Sequence, residues 1–121
     1  MKKRVCLITG GAGFLGNKYC KFFLKKGFIV LCIDNDKKKL NHLKSIKSKN
    51  LITYKCDITN ESKVAKLFKT INKSFFVDVL INNAAIDAVP FKKNILIQKF
   101  PDSEMWDKEI DVSLKGSFLM I

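Results

Sequence analysis

The sequence predicts an α/β fold, a doubly wound parallel sheet of four strands in the order 3-2-1-4. Three observations predict it. Short, nearly continuous apolar runs alternate with helical patterns along the chain. A strand buried on both faces reads as such a run, and strand–helix–strand connections within one sheet are right-handed. A glycine cluster stands at the first strand-to-helix junction, and the second and third apolar runs each end on an aspartate, Asp34 and Asp57.

The first strand is Arg4–Thr9. Gly10–Gly16 is glycine-rich, and from Phe14 a helix takes over, with Leu15, Tyr19, Phe22 and Phe23 on one face and Gly27 as its stop. Phe28–Ile33 is the second strand. Asp36 caps a second helix with apolar positions Leu40, Leu43 and Ile46. Leu51–Cys56 is the third strand. Thr59 or Asn60 caps a third helix, in which Val64, Leu67, Phe68 and Ile71 recur at i, i+3, i+4 and i+7. Val77–Ile81 is the fourth strand. An irregular stretch, Ile86–Pro101, carries the apolar patch Ile95-Leu96-Ile97. Asp102 or Ser103 then opens a last helix through Trp106, Ile110, Leu114 and Phe118. No linker or repeat divides the 121 residues, so one domain is expected over 1–121.

Composition narrows the function classes. No stretch approaches the ~20 apolar residues of a membrane span, and no signal-peptide core follows Met1-Lys2-Lys3-Arg4. A cytoplasmic protein without a membrane partner is expected. Cys6, Cys20, Cys32 and Cys56 each sit in an apolar run without Cys-x-x-Cys spacing, which reads as reduced core thiols and no metal site. The single histidine, His42, lies in a polar, surface-like stretch. The net charge is +12. Residues 1–56 carry 14 Lys/Arg against two acids, whereas 57–121 carry nine of each sign. Lys, Asn, Ile and Phe are abundant together, as AT-rich coding produces, and no aromatic–basic interleaving appears. No nucleic-acid partner is therefore expected.

The strongest motif is Thr9-Gly10-Gly11-Ala12-Gly13-Phe14-Leu15-Gly16. Glycines at a strand-to-helix turn let backbone approach a pyrophosphate, and the helix N-terminus supplies free N–H groups and partial positive charge. Asp34 follows 21 residues after Gly13, at the end of the second strand. A carboxylate there can accept from the adenosine ribose hydroxyls and would repel a 2′-phosphate, which favours NAD over NADP.

Four pieces in order resemble the short-chain dehydrogenase/reductase family: the glycine motif, Asp34, Asp57-Ile58 after the third strand, and Asn82-Asn83-Ala84-Ala85 after the fourth, close to the family's Asn-Asn-Ala-Gly. The last helix, with Val112-Ser113-Leu114-Lys115-Gly116-Ser117-Phe118, resembles the family's Val-Asn-Leu-x-Gly-x-Phe. The resemblance implies a Rossmann-type domain. Thr9, Gly10, Gly11, Gly13, Phe14, Leu15 and Gly16 would hold the pyrophosphate side, Asp34 the ribose, Asp57 and Ile58 the adenine, and Asn82, Asn83, Ala84 and Ala85 the length of the cofactor. It further implies hydride transfer between NAD(H) and a carbonyl or secondary alcohol, an unidentified small-molecule substrate, and a homo-oligomer as the full-length form.

Three departures matter. The Thr-Gly-x-x-Gly-x-x-Gly spacing is that of the family's extended branch of sugar-nucleotide epimerases and dehydratases, which keeps that reading as an alternative, although Asn82-Asn83 and the last helix resemble the ordinary branch. Ser113 stands where the family has a catalytic asparagine. The family's Tyr-x-x-x-Lys is missing, since Phe23 and Ile58 follow four residues after Tyr19 and Tyr54. No catalytic acid is assignable, and a non-catalytic NAD-binding fragment or module is the other alternative. The apolar ending Phe118-Leu119-Met120-Ile121 suggests a domain incomplete at its C-terminus, with a free edge on the fourth strand, marginal stability and a tendency to aggregate.

Overall fold

The computed structural model describes residues 2–86 and 103–121. The patch Ile95-Leu96-Ile97 and most of the irregular stretch around it lie outside the described residues. Four strands, β1 (Val5–Thr9), β2 (Ile29–Asp34), β3 (Leu51–Lys55) and β4 (Val79–Ile81), form one sheet in the order β3-β2-β1-β4. All three pairings are parallel, with Val5 opposite Ile29, Val30 opposite Leu51 and Cys6 opposite Val79.

Strand side chains alternate between faces, so the two central strands feed two cores. Val5, Leu7, Leu31 and Ile33 pack with Val64, Leu67 and Ile71 of α3 (Glu61–Ile71) and with Met120. Cys6, Ile8, Val30 and Cys32 pack on the other face with Cys20 of α1 (Phe14–Lys25) and Leu40 and Leu43 of α2 (Lys37–Leu43). Helices therefore cover both faces, which is the doubly wound arrangement. All four cysteines are buried free thiols.

Local chemistry sets the helix ends. Asp36 caps α2, accepting from the Lys38 and Lys39 amides. Asn60, not Thr59, caps α3, accepting from Lys63 N at 3.0 Å. Gly27, at φ +83°, takes the left-handed position after α1. The α2 helix stops at Leu43, so Ile46 reaches the core from the turn beyond it.

Two helical faces differ from the sequence expectation. In α1 the buried residues are Gly16 and Cys20, with Tyr19, Phe23 and Leu24 beside them, while Leu15 and Phe22 are exposed. Small residues bring the helix close to the sheet, which turns the larger neighbours outward. The last helix comprises α4 (Ser103–Ile110), a π-helical stretch (Asp111–Gly116) and α5 (Ser117–Leu119). Its expected apolar series is exposed throughout, with Trp106 at 60% and Phe118 at 73%. Contact with the core comes instead through Val112, Gly116, Leu119 and Met120. No helix among the described residues is long and apolar enough to cross a membrane.

Candidate cofactor cleft

The site forms where β1 ends. Gly10 sits at φ +60°, a conformation that side chains rarely adopt, and a Cβ there would lie 2.8 Å from Ala84 Cα. Gly11 N donates to Ile33 O at 3.1 Å, which pins the turn to β2, and Gly13 N donates back to Gly10 O at 3.1 Å. Gly13 then caps α1 with no side-chain hydrogen bond. The first-turn amides of α1, at Phe14, Leu15 and Gly16, have no carbonyl within the helix to bond. A Cβ on Gly16 would stand 2.1 Å from Gly10 O, so only glycine lets the helix start against the turn.

The segment after β4 is tied to the same turn. Thr9 Oγ1, buried at the end of β1, accepts from Asn83 N at 3.1 Å and Ala84 N at 3.0 Å. Asn83 Nδ2 donates to Thr9 O and Gly10 O. Asn82 Nδ2 donates in the other direction, to Ser117 O at 3.4 Å.

These elements enclose a cleft of about 620 Å³ at the C-terminal ends of the strands. Of the residues named from sequence, Gly10, Gly13, Phe14, Leu15 and Gly16 line it on one side. Asp34, Asp57, Ile58, Asn83, Ala84 and Ala85 line the rest. Thr9, Gly11 and Asn82 stand outside the lining. Thr9 and Asn82 link backbone segments, and Gly11 packs against Cys32, whose Sγ would be 2.5 Å from a Cβ placed there. The Cys20 thiol donates to Gly11 O from below. Ile33, Asn35, Lys39, Cys56 and Val112 also line the cleft and were not singled out from sequence. Asn35 and Lys39 were legible as neighbours of Asp34. Val112 arrives only because the last helix folds back across the strand ends.

Two carboxylates face the cleft in different states of support. Asp34 accepts from Ala12 N at 3.1 Å through Oδ2 and from Asp36 N at 2.9 Å through Oδ1, so its orientation is fixed while lone pairs remain for a ligand. Lys39 reaches the same cleft without an ion pair to it; the one ion pair among the described residues is Lys108–Glu104. Asp57 accepts from the Thr59 hydroxyl at 2.7 Å and the Thr59 amide at 3.0 Å. The hydroxyl bond chiefly, then the amide bond and the Lys63 and Lys115 charges, hold its carboxyl below the usual range against an opposing effect of burial. A depressed folded-state pKa contributes stability above the unfolded value and loses it as pH falls through the folded one. Acid titration of Thr59→Ala should therefore show a weaker loss of stability on acidification than the parent, followed by circular dichroism. An unchanged acid limb would remove Thr59 as the cause.

Ser113 lies exposed in the π-helical stretch. Its carbonyl accepts from the Ser117 hydroxyl at 2.7 Å. Within the same stretch a Cβ on Gly116 would meet Ile58 Cδ1 at 2.7 Å, so the glycine lets the helix rest on the cleft residue Ile58.

Residues 4–121 match the family profile described as short chain dehydrogenase. The chain belongs to the short-chain dehydrogenase family. Within this family it is 33% identical, over 96% of its length, to a short chain dehydrogenase/reductase of Macrophomina phaseolina, covering 66% of that protein. It is 31% identical, over 98% of its length, to a probable NADP-dependent mannitol dehydrogenase of Yarrowia lipolytica, covering 42% of it. Its fold matches the crystal structure of a 3-ketoacyl-(acyl-carrier-protein) reductase from Brucella melitensis complexed with NADH, with TM-score 0.82 and 29% identity, over 97% of this chain and 46% of that one. The chain thus spans about two thirds of the first relative and less than half of the other two.

Proposed function

We propose that the chain is the cofactor-binding half of an NAD-dependent oxidoreductase that moves a hydride between NAD(H) and a carbonyl or secondary alcohol. The observation that carries this reading is the Asp34 carboxylate, fixed by two backbone amides at the rim of the cleft and facing the uncapped start of α1. The cleft has the size of ordinary small-molecule sites. The residues present fit a dinucleotide. The α1 amides and glycine turn would hold the diphosphate, Asp34 the ribose hydroxyls, and Asp57 and Ile58 the adenine, with Asn83, Ala84 and Ala85 along the remainder. The nicotinamide, when bound, supplies the hydride chemistry; this chain binds and orients it.

The choice of NAD rests on charge. A carboxylate at the ribose position repels a 2′-phosphate, while Lys39 in the same cleft attracts one. Asp34 is the group with the two fixing hydrogen bonds, so its charge is held in place. The named relatives include both an NADH complex and an NADP-dependent enzyme. Neither tyrosine of the chain has a lysine four residues later, and Ser113 is exposed outside the cleft lining. The 121 residues alone are thus proposed to bind cofactor without turnover. The protein is proposed to work in the cytoplasm on a small carbonyl substrate. The exposed stripe Trp106, Ile110, Leu114 and Phe118 supports a homo-oligomeric full-length form.

Calorimetry tests the reading. NADH should bind at least about tenfold more tightly than NADPH, and Asp34→Ser should erase most of that preference. Equal affinity for the two cofactors in the parent chain would remove the NAD assignment. No heat with either at millimolar concentration would remove the cofactor site.

A further inference from the structure

Among the described residues, lysines without acids crowd one layer. The α1 and α2 helices cover the same face of the sheet. On their outer side α1 and its cap carry Lys18, Lys21, Lys25 and Lys26, and α2 and its cap carry Lys37, Lys38 and Lys44, all exposed. No acid occurs in α1, and Asp36 at the start of α2 is engaged as its cap. The opposite layer mixes signs, with Glu61 among the α3 lysines and Glu104, Asp107, Glu109 and Asp111 beside Lys108 and Lys115. A lysine excess arising from composition alone would load both layers alike. None of the α1 and α2 lysines forms an ion pair among the described residues.

Phe22 stands 54% exposed beside Lys18, Lys25 and Lys26, which lie three or four residues from it and so share its face, with Lys21 next to them on the outer side of the helix. Its ring meets Phe23 edge-on at 5.3 Å, and Phe23 meets the buried Phe28 at 5.1 Å, so the exposed ring is anchored to the core. Lys26 Nζ lies 5.7 Å from the centre of the Phe22 ring.

We propose that the α1–α2 face docks reversibly on an anionic lipid bilayer, with Phe22 at the headgroup boundary and the lysines over the lipid phosphates. Clusters of four to eight basic residues on a surface helix give this behaviour, and long lysine stems let a ring sink while the charge stays wet. Side-chain type favours lipid over nucleic acid. Arginine is the residue suited to bidentate phosphate recognition, and neither α1 nor α2 carries one. The chain's one arginine, Arg4, lies over the Phe28 ring.

Flotation of the 121-residue chain with vesicles of about 30% phosphatidylserine in phosphatidylcholine tests the docking. Binding is expected at low salt, at least about tenfold weaker at ~0.5 M salt, and absent on pure phosphatidylcholine. Lys21→Gln with Lys25→Gln should weaken it by roughly thirtyfold. The same double change at Lys66 and Lys69, on α3 of the opposite layer, should weaken it by less than about threefold, since those charges lie beyond screening range of the docked surface. Both double variants should keep the parent's NADH affinity and melting curve. Equal losses in the two, no binding to the anionic vesicles, or displacement from them by polyuridylate at lower concentration than by added vesicles would each overturn the proposal.

Discussion

Gly16→Ala is expected to abolish NADH binding and to lower folding stability by about 3 kcal/mol or more. The added methyl would lie 2.1 Å from Gly10 O, 2.7 Å from Gly11 Cα and 2.9 Å from Gly10 C. All three are backbone atoms, so no side chain can swing away. The turn must shift, and Gly10 O also accepts from Asn83 Nδ2, so the displacement spreads to the segment after β4. Thermal unfolding and NADH fluorescence at low temperature read the two effects separately. A variant with near-parent affinity would mean that the turn does not hold the ligand.

The second large effect is expected at Thr9. Its hydroxyl oxygen receives two amides of the segment after β4, and the residue is buried. Thr9→Val has nearly the same shape but leaves both N–H groups without that acceptor. An unsatisfied buried group costs about 1–3 kcal/mol, and these two amides are partly buried, so a total of roughly 2–3 kcal/mol is expected in urea unfolding. Thr9→Ser keeps the oxygen and should lose less than about 1.5 kcal/mol. If serine is as damaging as valine, the methyl rather than the hydroxyl is what matters.

These two positions show what was legible in the sequence. The glycine turn was readable because backbone geometry restricts it to one residue type, and Asp34 because it ends a buried strand after such a turn. The parallel sheet followed from crossovers of fixed hand and its order from the resemblance to a Rossmann-type domain, and the structure has both. Helix faces were less readable. In α1 the pattern offered Leu15 and Phe22 as core residues, yet Gly16 and Cys20 are buried, because close approach to the sheet favours the small side. In the last helix, the i, i+4 series of large apolar residues traced the helix and is exposed, whereas contact with the core runs through Val112, Gly116 and Met120. Periodicity shows that a helix is amphipathic and not which neighbour covers it. Val112 entered the cleft lining for the same reason, since tertiary placement and not motif spacing brings it there.

One contact ties ligand and chain end together. Ile58 lines the cleft on one side and receives Gly116 on the other. A single side chain is thus a party wall between the proposed adenine position and the last helix. Any free energy gained by filling one side also restrains the other, so occupancy of the cleft and seating of that helix are thermodynamically linked.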